Sequence, residues 1–144
     1  MRKKLYKDLC NHLQAQGIKH VDLWNRNIEF IEQEESWARP AVFIEFGTIS
    51  WQLLTEGHTQ LGEGTLKLHV VTDWQGSTAA GSAYANESLE YLDYSRRIQE
   101  EIQGIKGEGY YGVTLIETYT NHDHEEIIES IEVYKYRCVR ELTR

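Results

Sequence analysis

Six consecutive residues, Asn121-His122-Asp123-His124-Glu125-Glu126, bring together two imidazoles and three carboxylates, the donor types that hold divalent metals. Their spacing matches none of the zinc or calcium patterns with a known mechanism, and no cysteine supports them. In a turn between two strands His122 and His124 need not converge, so an ordinary polar turn is the simpler reading. His58 and His69 join such a site only through folding. A second set, Glu45, Glu117, Glu132 and Lys135, has the side chains of a metal-dependent phosphodiesterase. Acids on strand faces are common, however, and the sequence shows no basic groove to receive a polyanion. Nucleophilic chemistry has less still: there is no Gly-x-Ser-x-Gly and no glycine loop that cradles phosphate ahead of a helix. Cys10 and His12 are two apart on a helix and point to different faces. The sequence therefore predicts no catalytic, cofactor-binding or metal-ligating residue.

Aromatic residues stand where surface is expected. Trp37 precedes a strand, Trp51 lies on a hairpin strand, Trp74 and Tyr84 lie in a long loop, and Tyr110-Tyr111 follow a helix. Trp and Tyr are enriched at the cores of protein interfaces, so Trp51, Trp74, Tyr84, Tyr110 and Tyr111 are candidate protein contacts. The alternative is that they pack over the ends of the chain's own core.

The elements that position these residues follow from composition and pattern. A chain of 144 residues, 40% apolar and 26% charged, suits one domain with a core that needs no staples. No run approaches the ~20 apolar residues of a membrane span. The basic start Met1-Arg2-Lys3-Lys4 is followed by Tyr6, Lys7, Asp8, Asn11 and His12, which deny a signal peptide its apolar centre, and the expectation is a cytosolic protein. Cys10 and Cys138 read as buried reduced thiols. The net charge of −8 is uneven: Gly107 to Tyr134 holds seven acids and no Lys or Arg. Such a face repels phosphate, which argues against specific nucleic-acid binding.

Arg39-Pro40-Ala41-Val42-Phe43-Ile44-Glu45-Phe46-Gly47 reads as the first core strand. Pro40 stands at its entrance, Val42, Ile44 and Phe46 share one face, and Ala41, Phe43 and Glu45 share the other. Before it, Leu5, Leu9 and Leu13 mark an amphipathic helix from Lys3 to Gln16 that Gly17 ends. Ile18 to Trp37 mixes helical and alternating signals and reads as a connection with a short helix near Ile28 to Glu35. Gly47-Thr48 fits a tight turn into a strand over Ile49 to Leu54. Leu61 to Thr72 reads as a longer strand with a bulge at Gly62 and Gly64. The stretch 74–86 reads as a mobile loop that orders against a partner. Asn86 caps a second helix carrying Tyr91, Tyr94, Ile98, Ile102 and Ile105. Strands over Val113 to Thr120 and Ile127 to Val139 close the chain. The order α-β-β-β-α-β-β predicts an α+β fold of two layers, a mainly antiparallel sheet with helices packed on one face.

Two stretches, Gly17-Ile18-Lys19-His20-Val21-Asp22-Leu23-Trp24-Asn25 and Trp37-Ala38-Arg39-Pro40-Ala41-Val42-Phe43-Ile44-Glu45-Phe46, resemble the N-terminal half of the tail-terminator or tail-completion proteins of long-tailed bacteriophages and prophages. The similarity continues through Leu68-His69-Val70-Val71-Thr72, a helix containing Arg97-Ile98, and Tyr134-Lys135-Tyr136-Arg137-Cys138. It covers the whole chain in element order, though it is carried by a strand pattern and not by a chemical signature. The resemblance implies a non-enzymatic protein without cofactors, which forms a ring, typically hexameric, on the finished tail tube. Its partners would be further copies of itself, the tail tube protein and the head-tail connector protein; its place would be the virion tail or neck, and the host cytoplasm during assembly. DNA passes through the lumen of such rings, and an acidic lining that includes Glu125, Glu126 and Glu129 would let it slide. Two other readings stand beside this one, a neck or head-closure protein of the same virion and a small metal-binding enzyme that uses the 121–126 turn.

Overall fold

In a computed structural model the chain forms α1 (Arg2–Ala15), β1 (His20–Leu23), β2 (Ala41–Thr55), β3 (Thr59–Asp73), α2 (Ala85–Ile102), β4 (Tyr110–Asn121) and β5 (Ile127–Glu141). The structure describes residues 1–25, 38–55, 57–73, 80–82, 85–121 and 127–142. One five-stranded sheet in the order β1-β2-β3-β5-β4 organises them, antiparallel throughout except where β1 runs parallel to β2. The α+β class and the element order match the sequence expectation. The helix near Ile28 to Glu35 and most of the 74–86 loop lie outside the described residues, while Ala85 and Asn86 already belong to α2.

Pro40, with no N–H to give a ladder, stands just before β2 as its chemistry requires. Arg39 Nε meets Asp73 Oδ1 at 2.5 Å, tying the start of β2 to the end of β3. The alternation along β2 is as expected. Val42 and Ile44 enter the main core with Leu5, Leu9 and Leu13 of α1 and Ile98 and Ile102 of α2, which places both helices on one face. Ala41 and Phe43 enter a second, smaller core on the opposite face with Val71 and Ile127, flanked by Trp24. Gly17 ends α1 at φ 82°, a conformation in which a side chain is strained.

Three local expectations are corrected. The tight turn at Gly47-Thr48 does not form: β2 runs through it with one extra residue, since Phe46 pairs with Leu66 and Ile49 with Gly64. The reason is contact, because a Cβ at Gly47 would overlap the Thr65 side chain. The hairpin instead turns after Thr55, with Gly57 at φ 84°. The predicted bulge at Gly62 and Gly64 is absent from the β3–β5 pairing, which is continuous. Those glycines make room: a Cβ at Gly64 would strike the Tyr136 ring and one at Gly62 the Cys138 sulfur. Finally, His20–Leu23, assigned to the connection, is strand β1. Its Val21/Leu23 alternation was the correct signal, and Lys19 N–H donates to the Pro40 carbonyl at 3.0 Å beside it.

Cys10 is half-buried and Cys138 buried, and both are free thiols. Burial pushes both thiols above their ordinary range, which makes them poor nucleophiles.

Candidate interaction surface

β2, β3 and β5 are each 15 residues long, roughly 50 Å at about 3.4 Å per residue, whereas the 14 residues of α1 span roughly 21 Å. The strands therefore outrun the helix and project as a blade. At its tip Leu53 and Leu54 are 56% and 51% exposed. Leu53 pairs with Gln60 and Thr55 with Thr59, so Leu54 is the extra residue of a bulge, and both leucines stand bare at the tip. Leu142, whose N–H donates to the His58 carbonyl at 2.8 Å, is a third exposed leucine at this end.

At the foot of the blade lies a cleft of about 960 Å³ between the first turns of α1, the bulged part of β2 and the end of β5. Ile49, Trp51 and Val139 give it apolar lining. Arg2, Lys3, Lys4, Lys7 and Arg140 supply five cations against the two acids Glu108 and Glu141. The expectation that the chain lacks a basic groove is thus corrected. The signal was present in Arg2, Lys3, Lys4 and Lys7, but Arg140 reaches them only through the fold. The Arg140 guanidinium lies 4.2 Å from the centre of the Trp51 ring, a contact that steadies both. Trp51 is half-buried against the main core and faces this cleft, which keeps it a candidate contact residue.

The other candidates divide. Tyr111 is exposed. Tyr110 is not a contact residue: it is buried in the main core, where its hydroxyl donates to Asp8. The Gly107 turn brings it there, with Gly107 N–H bonded to the Tyr110 carbonyl at 3.1 Å. Trp74 and Tyr84 lie outside the described residues, as do Glu125, Glu126, His122 and His124.

The acidic run does not form one face. Glu129 and Glu132 are both buried, on opposite sides of the sheet. Glu132, on the helix side, accepts from Thr118 Oγ1 at 2.5 Å and Ser130 Oγ at 2.8 Å. Glu129, on the other side, lies 2.6 Å from His69 Nδ1 and accepts from Asn121 Nδ2 at 2.7 Å. Glu129 is thereby removed from the proposed exposed acidic lining. The phosphodiesterase-like set fails on the same geometry. Register puts Glu45, Glu117 and Lys135 on the open face and Glu132 behind it. An extra residue in β4, between Leu115 and Glu117, turns Glu117 away from the face that simple alternation gives it.

His69 lies on the open face, and the sequence suggests it only as a residue that folding could bring to the 121–126 histidines, not as the partner of Glu45 and Glu129. Its Nε2 is 3.0 Å from Glu45 Oε1 while Nδ1 meets Glu129, and the Trp24 indole stacks on the ring at 3.8 Å between centroids and 3° between planes. The two nitrogens point in opposite directions, so Glu45 and Glu129 cannot join His69 around one ion, and no metal-holding group of His, Cys, Asp and Glu occurs among the described residues. The arrangement locks β2, β3 and β5 together through polar side chains, a structural role. The available signal was Glu45 and His69 interrupting apolar strand faces, but their pairing depends on register.

Asp8 links α1 to the base of the cleft. It accepts from Lys4 Nζ at 2.8 Å and from the Tyr110 hydroxyl, and these bonds, the Lys4 one foremost, hold its carboxyl below the usual range. Burial, reinforced by Asp8, pushes the Tyr110 hydroxyl up. A carboxylate whose folded pKa is depressed stabilises the fold above its unfolded pKa and loses that contribution as pH falls through the folded value. The stability advantage of the wild type over Asp8→Asn is therefore expected at pH 6 and to shrink below about pH 4, near the ordinary Asp value. Urea melts at several pH values check this, and an advantage equal at pH 6 and pH 2 would contradict it.

Comparison with protein-family models finds no match to this chain, and comparison with curated proteins finds no significant relative. Among the described residues, no helix is long and apolar enough to cross a membrane.

Proposed function

We propose that the chain is a non-enzymatic assembly protein of a long-tailed phage or prophage that caps the tail tube, ends its polymerisation and joins the tail to the head connector. The observation that carries this reading is the projecting blade, with leucines bare at its tip and a mixed basic and apolar cleft at its foot. Exposed apolar surface next to charge is what protein contact requires. The element order and the Pro40 strand add the resemblance to tail terminators. On this reading the chain acts as a ring, hexameric by that resemblance, in the virion tail or neck, and it meets the tail tube protein on one side and the connector protein on the other.

The polar cluster around His69 serves the same end by holding three long strands in register without help from the helices. Loss of the gene is expected to yield tails of uncontrolled length and heads without joined tails, visible by electron microscopy of lysates. Normal particles from such lysates would refute the proposal.

A further inference from the structure

We propose that the cleft at the foot of the blade seats the first half of α2 from a second copy of this chain. The inference rests on the reading that the chain assembles with itself, and it assigns the two surfaces that meet. The cleft is lined by cations together with the apolar Ile49, Trp51 and Val139, in a chain whose net charge is −8. Lys4 is held by Asp8, whereas Arg2, Lys3 and Lys7 form no ion pair among the described residues. Lys3 and Lys7 are one turn apart and share a face of α1. An occupant must therefore bring carboxylates together with apolar side chains.

The start of α2 offers both. Its sequence Asn86-Glu87-Ser88-Leu89-Glu90-Tyr91-Leu92-Asp93 has three acids and no cation. Leu89 and Leu92 are 40% and 55% exposed, and with Asp93 they fall at helical spacing on one side of the helix. Farther along, α2 is committed to its own chain: Ile98 and Ile102 are in the core, Arg96 pairs with Glu100 at 3.0 Å, and Glu101 bonds His12 and Gln16 at 2.9 and 3.0 Å. Leu89, Leu92 and Asp93, exposed in the first half, enter none of these contacts.

The cleft and the start of α2 are different patches with no residue in common, so the contact is head-to-tail. Such contacts repeat from copy to copy and close into a ring when the rotation permits. Opposite charges on the two patches steer the approach and weaken with added salt.

Light scattering coupled to size-exclusion chromatography over a wide concentration range tests the assignment. The wild type is expected well above the 16.8 kDa of one chain. Lys3→Glu/Lys7→Glu and Leu92→Lys/Asp93→Lys are each expected to elute at monomer mass, with circular dichroism unchanged. An equimolar mixture of the two is expected to regain the wild-type mass, because each reversed surface then meets its complement. A folded Lys3→Glu/Lys7→Glu variant that keeps the wild-type mass overturns the assignment and leaves a ring built through another surface. A mixture that stays monomeric overturns it as well. A wild type that is monomeric throughout removes the self-assembly on which the assignment depends.

Discussion

Replacing Glu129 by lysine is expected to destabilise the protein by about 3–5 kcal/mol, the range for leaving an uncompensated charge in a buried site. Glu129 is 2% exposed, sits 2.6 Å from His69 Nδ1 and accepts from the Asn121 amide. A lysine there puts an ammonium where a carboxylate meets the His69 ring and the Asn121 amide nitrogen. The stacked Trp24 ring closes the face of the imidazole, so His69 cannot swing away without uncovering apolar surface. Glu129→Gln, which keeps the shape and one acceptor, is expected to cost less. Chemical denaturation of both variants reads the difference. A loss within the ~0.5 kcal/mol typical of surface substitutions would show that Glu129 is not part of a buried cluster. This also limits any test of an acidic ring lining: charge reversal there belongs to Glu125 and Glu126, because a Glu129 variant would fail through its fold.

Phe43→Ala is expected to cost about 3–5 kcal/mol, the range for emptying an aromatic site in a core. Phe43 is on the sheet face away from both helices, where a bare sheet would leave it wet. It is instead fully buried, packed with Ala41, Val71 and Ile127 and meeting the Trp24 ring edge-on at 6.4 Å between centroids. The substitution therefore measures whether Phe43 and Trp24 form a second core on this face in solution. An unfolding free energy from urea melts lowered by ~1 kcal/mol or less would mean that the second core does not exist.

The fold was legible where one residue's chemistry decides a local outcome. Pro40 marked the start of β2, the Leu5/Leu9/Leu13 spacing marked α1, and alternation along Ala41 to Phe46 assigned both faces of the strand correctly. What the sequence hid depends on contacts between distant residues. Gly47 looks like a turn residue until Thr65 is seen against it, and Gly64 looks like a bulge until the Tyr136 ring is seen filling its place. Strand β1 is four residues long, too short to outvote the helical spacing of the apolar residues around it. The candidate site was less legible for the same reason. The cleft joins Lys3 and Lys7 to Arg140, 133 residues beyond Lys7 in the sequence, and the His69 cluster joins three strands. Tyr110 and Glu129, which look like surface residues by type, are buried because each finds a polar partner across the fold.

The most direct test of the capping function is the length of tail tubes polymerised from purified tail tube protein with and without this protein, measured by electron microscopy. The account predicts that adding it stops elongation and leaves density bound at one tube end. Tubes that grow to the same length with their ends bare would contradict it.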